Sequence, residues 1–177
     1  MEQLWRAFNQ VIPIFLICIP FVILIGWFLY YRKIKFGKEK KKAILGSVIN
    51  IFLFLSILGI LMVTLLPGSL SAVQLVPFVS SIDVLFNSVD YTVPIRILGF
   101  NVVLFIPFGV FMALTMYSKR KVILLTTSIG MVLSIIIEFL QYALAIGRIS
   151  NIDDVILNSF GAFLGAIIGY LLGKRYL

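Results

Sequence analysis

Histidine is absent from the 177 residues, and Cys18 is the only cysteine. The missing histidines exclude an imidazole general base, His-ligated zinc and His-ligated haem together. One cysteine can neither close an internal disulfide nor build a thiolate metal site. Charge is scarce too, at 12% of residues, against about 25% in a soluble domain. Proline and glycine number 6 and 13 and follow no period, so collagen-like and linker arrays are excluded. What fills the chain instead is apolar: 62% of residues are hydrophobic, against about 45–50% in soluble domains. That excludes a soluble globular domain, and it excludes disorder, because such a chain cannot stay solvated.

Five apolar runs follow one another: Val11–Tyr31, Ala43–Leu66, Ile97–Tyr117, Val122–Ile146 and Val155–Leu172. Each has the length of a spanning helix, about 17–25 residues. Hydrocarbon offers no partner to a free peptide group, so each run is expected to be helical. No stretch alternates apolar and polar residues as a barrel strand would. The expected fold is therefore all-α: a polytopic membrane protein with five transmembrane helices. The first run is too long for a signal h-region, Glu2 and Arg6 cancel before it, and no small-x-small cleavage site follows. It reads as a retained helix.

Basic residues set the direction. Arg32, Lys33, Lys35, Lys38, Lys40, Lys41 and Lys42 lie after the first run, Lys119, Arg120 and Lys121 after the third, and Lys174 and Arg175 after the fifth. If all five runs span, these segments share one side, and only Arg6, Arg96 and Arg148 lie on the other. The positive-inside bias then puts the N-terminus outside and the C-terminus in the cytoplasm. The Lys-rich loop reads first as this topology signal. Anionic lipid is a sharper reading of it, and nucleic acid is disfavoured because no aromatic stacking platform accompanies the charge.

The connection from Pro67 to Ile95 is the long external one. Pro67, Pro77 and Pro94 exclude a continuous helix through it. Ile82, Leu85, Phe86 and Val89 share a helical face, which predicts a short interfacial helix or re-entrant turn.

With that topology the polar residues meet at one depth. Asn101 lies near the outer start of the third span, Glu138 and Gln141 near the outer end of the fourth, and Asp153, Asp154 and Asn158 in the first turns of the fifth. Arg148 sits between the last two groups. Extending the fourth helix to Ile146 places Glu138 about 12 Å from its end and about 15 Å from Arg148, so Asp153 or Asp154 is the easier partner for Arg148. An ionised Glu in hydrocarbon costs a few kcal/mol, so Glu138 is protonated, paired or facing a wet cleft. Carboxylates with amide oxygens suit a hard divalent cation better than zinc, but no ligand set is spelled out and no metal or cofactor is assigned. A competing account is structural: Ser150 or Asn151 caps the last helix, Asp153 or Asp154 completes a capping box, and the amides are interhelical glue. Gly161, Gly165 and Gly169 form a small-residue ridge for close helix packing, against an internal helix or a second copy in a homodimer.

These residues resemble the VanZ-like family of bacterial membrane proteins. Asn101-Val-Val-Leu-Phe-Ile-Pro107-Phe-Gly109 is similar to its Asn-x-x-Leu-Phe-x-Pro-x-Gly motif. Glu138-Phe-Leu-Gln141 with Arg148 is similar to its Glu-x-x-Gln…Arg segment, and Asp153-Asp154-Val-Ile-Leu-Asn158 with Gly161 and Gly165 to its Asp-Asp-x-x-x-Asn-x-x-Gly run. Thr64-Leu-Leu-Pro67 and Leu75-Val-Pro77-Phe78 look like its external segment, and the likeness covers roughly residues 45–172. Asn151 and Gln74 depart from the Asp and Asn frequent at those positions. The resemblance implies residues 1–42 as an added helix with a basic loop, followed by a four-helix VanZ-like domain over 43–177. It also implies a role at the cell envelope, since the family is named for low-level resistance to teicoplanin, a lipid-bearing glycopeptide. It supplies no reaction. Three functions are therefore expected in descending order: binding of a lipid-linked anionic or glycan group in the bacterial plasma membrane, an intramembrane enzyme acting on such a lipid, and a small transporter. The expected partners are membrane lipids or a lipid-linked cell-wall precursor.

Overall fold

Each apolar run has its own helix around it, because a backbone without water must close its hydrogen bonds within the segment. The computed structural model describes residues 2–65, 72–74, 86, 92–144 and 149–176. Its helices are α1 (Glu2–Lys35), α2 (Lys40–Thr64), α3 (Thr92–Thr115), α4 (Val122–Ala143) and α5 (Ile152–Tyr176), with the short strands β1 (Ala72–Gln74) and β2 (Ile149–Asn151). Among the described residues five helices are long and apolar enough to cross a membrane. The all-α expectation holds, with the small strand pair added to it.

The helices extend past the ends of most of the apolar runs, α1 starting at Glu2 and α5 at Ile152, and two boundary shifts bear on the α3–α4–α5 bundle. The third helix starts at Thr92 and not at Ile97, so Pro94 lies inside it. Proline is tolerated there because the first-turn N–H groups have no helical partner to lose. The fourth helix stops at Ala143 and not at Ile146, with Leu144 closing it through its N–H to the Leu140 carbonyl at 2.9 Å. The expected interfacial helix through Ile82, Leu85 and Val89 lies outside the described residues, apart from a helical, exposed Phe86.

The chain forms two compact units, Met1–Thr64 and Leu65–Leu177. In the first, α1 and α2 make a helical hairpin. Its turn works because Gly37 takes φ +77°, where a side chain would be strained. Gly37 and Lys38 then donate their N–H groups to the Ile34 and Lys33 carbonyls, at 2.9 and 3.0 Å, which ends α1 in a Schellman motif. Much of the α1 surface is exposed and apolar, including Phe21, Leu24, Trp27 and Phe28. That surface suits a helix solvated by lipid tails.

In the second unit α5 packs on both α3 and α4. Carbonyl oxygens of Val102, Ile106 and Val110 lie over Gly161, Gly165 and Gly169 in turn. Both series ascend, so α3 and α5 run parallel. Gly109 answers from α3 by lying against Ala162 and Ala166. The ridge thus packs on an internal helix, and small residues let the two backbones touch. Pro107 falls on an exposed stretch of α3 beside Val103, away from this seam. Between α4 and α5 the order reverses: Ser134 meets Asn158 and Gly130 meets Ala162. Phe105 and Phe108, both buried, fill the interior in an edge-to-face pair with ring centroids 6.1 Å apart. Nearer the far end, Ala113, Val122 and Ala166 form a buried cluster. β1 pairs in parallel with β2, in the register Ala72–Ile149, Val73–Ser150 and Gln74–Asn151. The pair ties part of the long 67–95 connection to the residues that lead into α5.

Candidate functional site

The start of α5 organises the site. Asn151 is its N-cap: the Asn151 Oδ1 accepts the Asp153 N–H at 3.0 Å. This meets one of the free donors of the first turn, as a cap must. In a capping box the third helical residue reaches back to the N-cap amide. Here that residue is Asp154, and it does something else. Its Oδ1 accepts from Asn101 Nδ2 at 2.8 Å, tying α5 to α3. The N-cap amide is taken by a different helix: Asn151 N–H donates to Glu138 Oε2 at 2.8 Å. Glu138 completes the box from α4. Asp153 or Asp154 is the residue expected in that place, and the carboxylate on the Asn151 amide here belongs to Glu138.

The physical reason lies in where α4 ends. With the helix closed at Ala143, the chain doubles back, and Ser150 Oγ donates to the Glu138 carbonyl at 3.2 Å. Glu138 is five residues from the helix end, or about 7 Å, and not the expected 12 Å. The straight-helix separation from Arg148 loses its premise with the same correction. Arg148 itself lies outside the described residues, as does its expected pairing with Asp153 or Asp154.

One turn deeper, Asn158 Nδ2 donates to Ser134 Oγ at 2.8 Å, and both side chains are buried. Glu138, Gln141 and Asp153 are buried as well, at 8%, 5% and 2% exposure, while Asn101 and Asp154 are half-buried. The structure therefore brings Asn101 together with Asp154, Glu138 with Asn151, and Asn158 with Ser134. Glu138, Gln141, Asp153 and Asp154 each have interactions in addition to these. Among the described residues no group of three or more Asp, Glu, Cys or His side chains could hold a metal ion.

Ser134, Ser150 and the Asn151 amide are the members that spacing alone left without their partners. Ser134 carried a usable signal, because it precedes Glu138 by four residues and shares its face. The contact of Glu138 with the Asn151 amide carried none, since a backbone donor leaves no mark on the sequence.

The polar groups occupy one end of the α3–α4–α5 bundle. Lys119, Arg120 and Lys121 in the α3–α4 turn, with Lys174 and Arg175 in the last turn of α5, occupy the other. A charged residue far inside hydrocarbon is expensive, so both sets lie toward the ends and the middle is left to Phe105, Phe108, Gly130 and Ala162.

A model of the VanZ/LLP1 family matches residues 67–173. The chain belongs to this family. The matched stretch begins where α2 has ended and takes in both strands, α3, α4 and all but the last three residues of α5, so the side-chain contacts at the polar end of the bundle lie within it. No curated protein and no solved structure matches the chain. In this VanZ-like membrane protein Gln74 and Asn151, the two positions expected to depart from the family pattern, are register partners in the β1–β2 pair. Asn at the cap position does the work of Asp there, because either side chain can accept the second-residue N–H.

Proposed function

We propose that the chain sits in the bacterial plasma membrane with its N-terminus outside, and that the polar end of the α3–α4–α5 bundle opens to the outer leaflet. There it binds a lipid-linked anionic or glycan group and so modulates susceptibility to lipophilic glycopeptides of the teicoplanin type. Asn101, Glu138, Gln141, Arg148, Asp153, Asp154 and Asn158 are the proposed binding residues. The observation that carries this reading is the convergence of Asp154, Glu138 and Asn158 with partners from three segments at one end of one bundle, opposite its basic end. The basic end supports the orientation through the positive-inside bias. Binding is favoured over acid–base chemistry because both carboxylates already accept hydrogen bonds, from Asn101 and from the Asn151 amide. Carboxylates held in place by such donors are positioned to recognise a ligand.

Glu138→Gln and Asp154→Asn test the reading, since each keeps volume and an acceptor oxygen while removing charge. Both variants should accumulate folded in the membrane and lose the teicoplanin phenotype that the native chain confers on a sensitive host. Full activity of both, normalised to folded protein, would refute the binding role and leave these residues with packing and capping. A changed lipid-linked precursor on deletion of the gene, with the phenotype following it, would assign the site to an enzyme instead.

A further inference from the structure

A second polar region lies in the other unit, at the α1–α2 turn. Seven basic residues fall within Arg32–Lys42 against one acidic residue, Glu39. Three of them, Lys40, Lys41 and Lys42, form the first turn of α2, which carries no acidic residue. The first turn of a helix presents free N–H groups and the positive end of the dipole, so lysines there are unfavourable in the absence of an anion. Glu39 does little to correct this. It pairs with Lys42 at 3.5 Å with both side chains well exposed. Lys33 adds to the same field from α1: it is half-buried, and its Nζ lies over α2 at Gly46, 3.0 Å from where a Cβ there would stand.

The depth of this turn is set by what flanks it. α1 and α2 are apolar below it, and Trp27 and Tyr31 stack with ring centroids 6.4 Å apart on an exposed face one to two turns away. Exposed Trp and Tyr at the end of a span mark headgroup level. Phosphate at that level belongs to phospholipid. Phe36 sits under Arg32, 5.9 Å from its guanidinium carbon. We propose that the α1–α2 turn is a binding site for the phosphate of an acidic phospholipid, held by Lys33 and by the Lys40–Lys42 turn of α2. The site lies within the first unit and does not depend on the function proposed for the α3–α4–α5 bundle.

The test is retention of phosphatidylglycerol against phosphatidylcholine by the full chain in detergent, read by non-denaturing mass spectrometry. The native chain should prefer phosphatidylglycerol. Neutralising Lys40, Lys41 and Lys42 together with Gln should lower that retention about 100-fold, at roughly fivefold per lysine. Neutralising Lys119, Arg120 and Lys121 together removes the same charge and should lower it less than about fivefold. Equal losses in the two triple variants, or no preference in the native chain, would overturn the proposal. Displacement by glycerol phosphate at equal concentration would assign the turn to a soluble phosphate, and displacement by a short oligonucleotide at lower concentration would assign it to nucleic acid. If the first triple variant fails to fold, a salt titration of the native chain decides. The preference should collapse as salt rises to about 0.5 M, and a flat response would count against the site.

Discussion

Gly165→Ala adds one methyl group at the closest approach of two helices. A Cβ on Gly165 would fall inside contact distance of the Ile106 carbonyl oxygen and 2.9 Å from both the Gly109 Cα and the Val110 N. All three are backbone atoms, so no side chain can swing aside. Ordinary contact needs about 3.5 Å, which requires α5 to retreat from α3 by roughly an ångström or more at this step. A gap of 0.5–1 Å forfeits about a quarter to a half of each dispersion contact, and the loss extends to the neighbouring steps at Gly161 and Gly169. We expect a destabilisation of about 3 kcal/mol, the upper end of the overpacking range. That corresponds to about two orders of magnitude in the folded-to-unfolded ratio. The assay is equilibrium unfolding of the purified chain in mixed micelles by SDS titration. Gly99→Ala is the internal control, because a Cβ at Gly99 would meet nothing within 4 Å. It should be neutral or stabilising by up to about 1 kcal/mol. Equal unfolding midpoints for Gly165→Ala and Gly99→Ala would refute the parallel backbone-to-backbone seam.

Three further outcomes are expected. Asn101→Ala removes the donor to Asp154 and should destabilise the bundle by about 1–2 kcal/mol in the same titration, with Asn101→Gln an incomplete rescue. Asn151→Ala should cost about 1 kcal/mol through loss of the cap, while Asn151→Asp should hold native stability; the reverse order would remove the capping assignment. Single cysteines at Lys40 and Ser88, in a Cys18→Ala background, should label oppositely with an impermeant reagent on intact cells. Labelling at position 40 from outside would invert the proposed orientation.

The helices were legible because hydrocarbon length and helical hydrogen bonding leave an apolar run little choice. Their ends were not, since Pro94 reads as a breaker until it is known to lie in a first turn, and nothing between Ala143 and Gly147 announces a stop. Asn101, Glu138, Asp154 and Asn158 were legible as a group through the alternation of spans, which places them at one level. Their pairing was not. Asn101 and Asp154 are 53 residues apart, and the reach of Glu138 to a peptide N–H involves a group common to nearly every residue. The strands escaped for a similar reason. Ala72–Gln74 and Ile149–Asn151 are three residues each, too short for a period, and their partnership spans more than seventy residues. The glycine ridge announced a close neighbour, but only the parallel run of Val102, Ile106 and Val110 identifies it as α3.

Because the cap of α5 is completed by a carboxylate on α4, the order in which the ribosome delivers the chain matters. Glu138 emerges 13 residues ahead of the amide that it will hold. At about 5–20 residues per second that is an interval of roughly 0.7 to 2.6 seconds. During it α4 enters its membrane environment with an acidic side chain whose Asn151 partner has yet to be made. A freely inserted α4 would lack that bond to an acidic group, which is costly in hydrocarbon, so α4 gains by waiting at the insertion machinery until Asn151 arrives and the two helices can partition as a pair. Lengthening the 145–148 connection would prolong the wait, and its effect would be read as the yield of protein in the membrane.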